Sequence, residues 1–386
     1  MTQPVAFYAP LKPPDHPIPS GDRRMARALL RALASADQPV ELASRLRSYD
    51  RSGDPVRQRR IKALGERLAA RLLRRYRASA TPPRAWLTYH AYHKSPDWLG
   101  PAVASALDIP YLLAEASFAP KQTGGPWAHG HAASERAIRQ ADVVLVLTAR
   151  DATCLAPLIA PPAELRRLPP FLDPRRYQAA LARRDRHRAV LAARFGLDPE
   201  QPWLLAVAMM RADVKRDSYL LLADALGRLC DRSWQLLVVG DGPARPEIEV
   251  ALKRLGPARV AFAGAVPEAA LPQYYAAVDL YVWPAVREAY GLAMLEAQAA
   301  GLPVIAGREG GVADVVRDGV TAFLTEPRDP AAFALATGRL LADPELRRTM
   351  GSAAGRFVLR ERSLRQAAAT LAAALAAAQE IRAARR

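Results

Sequence analysis

Val278-Asp-Leu-Tyr-Val-Trp-Pro-Ala-Val-Arg-Glu-Ala-Tyr-Gly-Leu-Ala-Met-Leu-Glu296 runs from an apolar segment into two carboxylates eight positions apart. Its first part, closed by Pro284, has the length and apolar character of a buried strand. The residues after it, rich in Ala, Leu, Met and Gln, predict a helix opening near Glu288. On such a helix Glu288 and Glu296 share roughly one face, because eight residues make a little over two turns. Glu288 then lies beside backbone N–H groups that lack intrahelical partners. A phosphate binds well there, and a carboxylate there can accept hydroxyl protons. Sugar and ribose hydroxyls together with a diphosphate would suit that combination. Spacing alone favours two solvated glutamates on an amphipathic helix; the surroundings change that balance.

Outward from that stretch, strand-like runs alternate with helical ones. The first half predicts strands at Val5–Tyr8, Val40–Ala43, Trp86–Thr88, Tyr111–Leu113 and Val143–Leu147, with helices over Arg23–Leu33 and Gln58–Tyr76. The second predicts strands at Trp203–Met209, Gln235–Val239, Val260–Phe262, Leu280–Trp283, Val304–Ala306 and Ala322–Leu324. Alternation of this kind implies parallel sheets covered on both faces. Pro161-Pro162, Pro169-Pro170 and Pro174 punctuate the middle, so two doubly wound domains are expected. They are placed at residues 1–180 and 181–362, with a terminal helix over 363–386 returning to the first. Ligands of open α/β sheets bind beyond the carboxyl ends of the strands, which puts the expected site in the cleft between the domains.

A chain of 386 residues has room for two cores, and 51% hydrophobic with 24% charged residues is ordinary for a globular protein. Met1–Pro10 lacks a basic segment followed by a long apolar one, so no secretory signal is expected. No apolar run is long enough to span a bilayer. Cys154 and Cys230 form no ligand spacing; a reduced cytoplasmic setting with both thiols buried is expected. The net charge of +17 invites a nucleic-acid partner. However, the excess is almost all Arg, and no RNP-like, zinc or helix-turn-helix pattern accompanies it, so nucleic acid is not expected. The charge concentrates at Arg57–Arg77, where Ile61, Leu64, Leu68, Leu72 and Tyr76 recur at helical spacing. A basic amphipathic helix can lie on an anionic bilayer at the inner membrane, or pack on a core with a solvated Arg face; both readings stand.

Three glycine turns follow or precede predicted elements. Pro19-Ser20-Gly21-Asp22 opens a helix, where Gly21 lets a phosphate approach backbone N–H groups, although Ser-Gly-Asp is also an ordinary cap. Gly240 and Gly242, in Val239-Gly-Asp-Gly242, either admit a nucleoside or make a tight turn. Arg308-Glu-Gly-Gly311 is a third of the same kind. Arg211 and Lys215 follow the first strand of the second domain and can neutralise a departing diphosphate. His90 and His93 follow a strand of the first domain; His90 is the candidate for substrate contact or acid/base work. His129 and His131 receive no role.

These residues together resemble the retaining GT-B glycosyltransferases of family 4. The likeness rests on Pro284-x3-Glu288-Ala-Tyr-Gly-Leu-x3-Glu296, Ala300-Gly-Leu-Pro-Val304, Gly310-Gly311 and Asp318-Gly319. It is extended by Arg211/Lys215, Val239–Gly242, Phe262-Ala-Gly264 and the joint Leu168-Pro-Pro-Phe-Leu-Asp173. It spans the second domain closely and the first more loosely, through Ser20-Gly21 and the strand ending at His90. The resemblance implies a hexosyltransferase-type enzyme that moves a sugar, with retention, from a UDP- or GDP-linked donor to a glycan, lipid-linked or small-molecule acceptor. It implies two Rossmann-like domains, no cofactor, and no divalent metal. Glu296 would hold the ribose hydroxyls. Glu288 and the amides of Ala289, Tyr290, Gly291 and Leu292 would hold the donor sugar and its phosphate. Arg211 and Lys215 would stabilise the diphosphate, Gly21 would approach it, and the base would be read near Ala265-Val266.

The chain departs from the family pattern in two places. Met210-Arg211 and Lys215-Arg216 replace Gly-Arg and Lys-Gly while keeping both charges. Leu113-Ala-Glu-Ala-Ser117 carries Glu115 and Ser117 where a histidine is usual. That second departure opens an alternative, a catalytically silent sugar-nucleotide-binding or scaffold protein of the same fold. An inverting transferase or epimerase fits the Glu288/Glu296 pair less well.

Overall fold

The alternation of short apolar runs and Ala/Leu/Arg-rich segments resolves into two α/β units in the computed structural model, which describes residues 3–18, 20–256 and 258–385. Pro19 of the Ser20-Gly21 turn lies outside the described residues. One unit comprises Met1–Pro169 and Leu364–Arg386, the other Pro170–Ser363.

The first unit is built from β1 (Val5–Tyr8), α1 (Gly21–Ser35), β2 (Val40–Ser44), α2 (Pro55–Arg77), β3 (Ala85–Tyr89), α3 (Gly100–Leu107), β4 (Tyr111–Ala114), α4 (Ala128–Gln140), β5 (Val143–Val146), α5 (Ala149–Leu155) and β6 (Glu164–Arg167). Its six strands lie in the order β2-β1-β3-β4-β5-β6, all parallel. The order reverses between β1 and β3, so the loops after those two strands diverge to opposite faces and leave a crevice at their carboxyl ends. Ser20 caps α1 by accepting from Arg23 N, and Asp54 caps α2 by accepting from Val56 N. β6 was not legible in the sequence: Glu-Leu-Arg-Arg has no β character, and its pairing with β5 makes it a strand.

The second unit contains α6 (Arg175–Leu181), α7 (Arg184–Phe195), β7 (Trp203–Val207), α8 (Val214–Gly227), β8 (Gln235–Val239), α9 (Arg245–Lys253), β9 (Val260–Gly264), α10 (Leu271–Ala277), β10 (Leu280–Trp283), α11 (Leu292–Ala299), β11 (Val304–Gly307), α12 (Val312–Val315), β12 (Ala322–Thr325), α13 (Pro330–Ala342) and α14 (Pro344–Glu361). Its strand order is β12-β11-β10-β7-β8-β9, again parallel, with the reversal between β7 and β10. Those two strands pair over only Leu280↔Leu204 and Tyr281↔Leu205, so the sheet parts early toward its carboxyl edge. The final helix α15 (Leu364–Ala384) belongs to the first unit, where its Ala/Leu face packs on α1. Among the described residues, no helix is long and apolar enough to cross a membrane.

Two expectations are corrected here. The helix after β10 starts at Leu292, not near Glu288, so Glu288 and Glu296 do not share a helical face. Ala285, Arg287 and Gly291 have φ of 61°, 48° and 74°, values that an α-helix does not admit, and they hold residues 284–291 in a loop. The two cysteines are both exposed, not buried: Cys154 lies on the outer side of α5 and Cys230 just beyond α8.

Candidate active site

The reversal point of the second unit carries the side chains that the sequence singled out. After β7 the chain enters the loop of Arg211 and begins α8 at Val214, with Asp213 as cap: its carboxylate accepts from Lys215 N at 3.0 Å. The cap fixes the first turn of α8, and Lys215, Ser218 and Tyr219 follow at one-turn spacing on the same face. Lys215 Nζ donates to Glu288 Oε2, and Trp283 Nε1 donates to the same oxygen at 3.1 Å. Both side chains are largely shielded, at 17% and 15% exposure, so this charge pair is held in place where a surface pair would be loose. Trp283 is itself fixed edge-on against Tyr219, with ring centroids 4.9 Å apart, and Tyr219 Oη donates to Ala208 O. Arg211 is less constrained: it is half-exposed and pairs with Asp213 at 3.1 Å.

The Glu288 loop is secured by backbone contacts. Val286 N donates to Ser218 Oγ at 3.0 Å, and Gly311 N donates to Ala289 O at 2.6 Å. Gly310 sits so close that a Cβ there would lie 2.0 Å from Glu288 O, which requires glycine whatever the ligand. The amides of Ala289, Gly291 and Leu292 donate to no protein acceptor among the described residues. They precede or open α11, where the helix dipole favours an anion.

Glu296 stands apart from the Glu288–Lys215 pair. It is 1% exposed on α11 and accepts from Tyr275 Oη at 2.9 Å. Arg176 of α6 approaches it to 3.9 Å and bonds Glu268 at 3.3 Å. Tyr275, Arg176, Trp283 and Asp213 were not foreseen; the first three meet their partners Glu296, Glu268 and Tyr219 across elements far apart in sequence, whereas Asp213 acts locally as the cap of α8. Val266 lies half-buried just after β9.

Gly240 and Gly242 have φ of 147° and 154°, and a Cβ at each would meet Ala208 O at 1.8 Å and Met210 O at 2.5 Å. The tight-turn reading therefore suffices for both: the β8 loop lies against the β7 loop, and Met210 N donates to Asp241 O at 2.9 Å. Gly21 is the opposite case. A Cβ there would meet nothing within 4 Å, so no packing inside the protein demands glycine.

In the first unit the reversal point carries Gly21, Asp22 and His90. His90 follows β3 directly, and its Nδ1 lies 3.1 Å from Asp22 Oδ1 and 3.5 Å from Glu115 Oε1. Burial disfavours the charged imidazole, but Glu115 and Asp22 outweigh it and push the His90 pKa up to about 9. Asp22 titrates below the ordinary range: burial opposes this, and the His90 ring beside it prevails. Glu115 is raised, chiefly by burial. His93 lies beyond this cluster, its ring against Tyr92 and Trp127. Among the described residues, no group of three or more His, Cys, Asp or Glu is placed to hold a metal ion.

Two Rossmann-like units, each a parallel six-stranded sheet with charged side chains at its reversal point, define a GT-B fold. Sucrose-phosphate synthase from Thermosynechococcus elongatus superposes with a TM-score of 0.71 over 96% of this chain and 98% of that one, at 22% identity. A sequence model of the family described as Glycosyl transferases group 1 matches residues 201–343, all of them in the second unit. The chain is 32% identical over 252 residues to the GDP-mannose-dependent alpha-(1-6)-phosphatidylinositol monomannoside mannosyltransferase of Mycolicibacterium smegmatis, covering 63% of this chain and 64% of that protein. It is 33% identical over 256 residues to the 2-deoxystreptamine glucosyltransferase of Streptomyces kanamyceticus, covering 64% and 65%. The chain thus spans just under two thirds of the length of these curated relatives.

Proposed function

We propose that the protein is a retaining glycosyltransferase that moves a sugar from a nucleoside-diphosphate donor, UDP- or GDP-linked, to a glycan, lipid-linked or small-molecule acceptor. The observation that carries this reading is the convergence of Lys215 and Glu288 beside unbonded amides at the reversal point of the second sheet. Those amides and Arg211 suit the diphosphate, with Lys215 adjoining. Glu288 suits a sugar hydroxyl, since a carboxylate accepts from it. The acceptor oxygen attacks the anomeric carbon on the face from which the phosphate leaves. The bond from that carbon to the phosphate oxygen breaks, and the acceptor proton passes to the leaving phosphate. Negative charge grows on the diphosphate during this step, so fixed cations and amides aimed there lower the barrier. With the charge met by Arg211, Lys215 and backbone, the reaction as drawn needs neither metal nor cofactor.

Glu296 would hold the ribose from its buried position, and Gly240, Gly242 and Val266 would border the nucleoside. His90 and Gly21, at the reversal point of the first sheet, would contact substrate.

The same reading places the protein in the cytoplasm with α2 against an anionic inner membrane. Supporting it, α2 packs through Gln58, Gly65, Ala69, Leu72 and Tyr76, while Arg60, Arg67, Arg71 and Arg74 point outward with Leu64 at 39% exposure. None of these four arginines forms an ion pair among the described residues.

The test is transfer or hydrolysis with a panel of UDP- and GDP-sugars, preceded by thermal stabilisation with the nucleotides alone. One nucleotide should raise the melting temperature, and its sugar conjugate should be consumed. The Glu288→Gln, Arg211→Ala double variant should lose activity by on the order of 10³-fold or more; undiminished turnover in it would remove the site assignment.

A further inference from the structure

Resting on the transferase reading above, we propose that Asp22 and Glu115 clamp His90 as an imidazolium, so that its Nε2–H serves the reaction as a fixed cationic hydrogen-bond donor to a substrate oxygen and never as the base. Three observations converge on this. Both carboxylates approach the ring at Nδ1, Asp22 to 3.1 Å and Glu115 to 3.5 Å, and Nε2 is the nitrogen offered to a ligand. The ring and Glu115 are 19% and 10% exposed. A neutral ring would leave the Asp22 and Glu115 carboxyls without a counter-charge in a poorly solvated place, which is strongly unfavourable.

The backbone is shaped to the same end. β3 and β4 are neighbours with Tyr89 opposite Ala114, so His90 and Glu115 are the next residues out on adjacent strands. Both turn left-handed there, at φ 59° and 56°, a conformation that residues with a side chain adopt only at a cost in backbone strain. His90 N still donates to Ala114 O and Glu115 N to Leu145 O, so the ladders stay intact while the side chains swing together. Asp22 arrives from the first turn of α1, directly after Gly21.

The charged and titratable groups around the ring are Asp22 of α1, Glu115 after β4 and Asp151 of α5, with Tyr89 and Tyr92 beside it and Lys12 acting on Asp22. Three carboxylates act on the ring, whereas Lys12 acts on Asp22, and that balance favours the protonated ring. The chain has Glu115 at the strand end where the resembled family usually carries a histidine. Here the histidine stands one strand over, and Glu115 supports it. Asp22 and Glu115 are positioning residues in this scheme, since they act through His90.

The experiment is a histidine-selective nitrogen NMR titration of the full-length protein from pH 5 to 10, with the His90→Asn spectrum assigning the signal. It is paired with kcat/KM profiles of the wild type, Asp22→Asn, Glu115→Gln and the double variant. The wild-type ring should stay protonated past pH 8, and kcat/KM should fall on the alkaline side with the same midpoint. The double variant should bring both midpoints down together by at least about one pH unit. A wild-type ring that titrates near the ordinary value of about 6.5, or a midpoint that both substitutions leave in place, overturns the clamp. An NMR midpoint that moves while the alkaline limb of kcat/KM stays put overturns the donor role. The titration needs no turnover, so it reads the clamp even if the transferase reading fails.

Discussion

Ser218 Oγ accepts a hydrogen bond from the Val286 amide at 3.0 Å, tying the first turns of α8 to the loop that presents Glu288. Ser218 is fully buried, and its hydroxyl in turn donates to Val214 O. Ser218→Ala therefore leaves a buried N–H without a partner, at a cost of roughly 1–3 kcal/mol. Thermal unfolding should show that loss, and kcat should fall further than stability alone explains, because the Glu288 loop slackens. Full kcat in a destabilised variant would show that the tie is only structural.

Gly21 and Gly240 should respond oppositely to alanine. Gly240→Ala forces a side chain into Ala208 O and into an unfavourable φ, with a backbone penalty of roughly 1–3 kcal/mol before the clash is counted. Gly21→Ala meets open space at a helix start and should leave stability unchanged or raise it by about 0.5 kcal/mol. If a donor phosphate approaches Gly21, KM for the nucleotide sugar should nevertheless rise several-fold. An unaltered KM would make Gly21 an ordinary cap neighbour.

His90 also sets a pH dependence of folding. Its pKa is raised in the folded state to about 9, so the charged ring stabilises the fold. That contribution is complete below the unfolded value of about 6.5 and is lost as pH rises through 9. Denaturant midpoints of the wild type should decline between those limits more steeply than those of His90→Asn. Parallel declines would show that other groups dominate the alkaline limb.

The outer face of α2 should bind anionic vesicles. Arg60, Arg67, Arg71 and Arg74 extend over about 21 Å of helix, and Leu64 lies among them. Co-sedimentation with phosphatidylglycerol vesicles should exceed that with phosphatidylcholine and weaken as salt rises, the Debye length being only about 8 Å at 0.15 M. Replacing the four arginines with glutamine should abolish the difference without moving the melting temperature. Equal binding by the variant would assign the attraction to the chain's general positive charge.

Much of the fold was legible because apolar runs such as Gln235–Val239 and Leu280–Trp283 carry their strand character locally, and both end at the residues expected. β6 escaped because neither Glu164 nor the two arginines after Leu165 prefer a strand; only β5 makes them one. The site divides the same way. Glu288, Lys215 and Arg211 announced themselves by charge and position, whereas Trp283, Tyr275 and Arg176 gave no local signal. The shared helical face for Glu288 and Glu296 failed because the helix starts at Leu292, not near Glu288: Gly291 is left-handed just before it, and Ala285 and Arg287 already hold the approach in a loop. The bare spacing held no sign of that loop.

By itself, the sequence determined that the chain alternates strand and helix twice over, and which charged residues follow which strands, because these depend on short-range pattern and chain order. Tertiary structure alone decided which of those residues meet. Lys215 reaches Glu288, 73 positions away, because the strand order reverses between β7 and β10 and their loops open onto one crevice. It also decided why Gly310 must be glycine, since only the folded chain brings the Glu288 carbonyl against it.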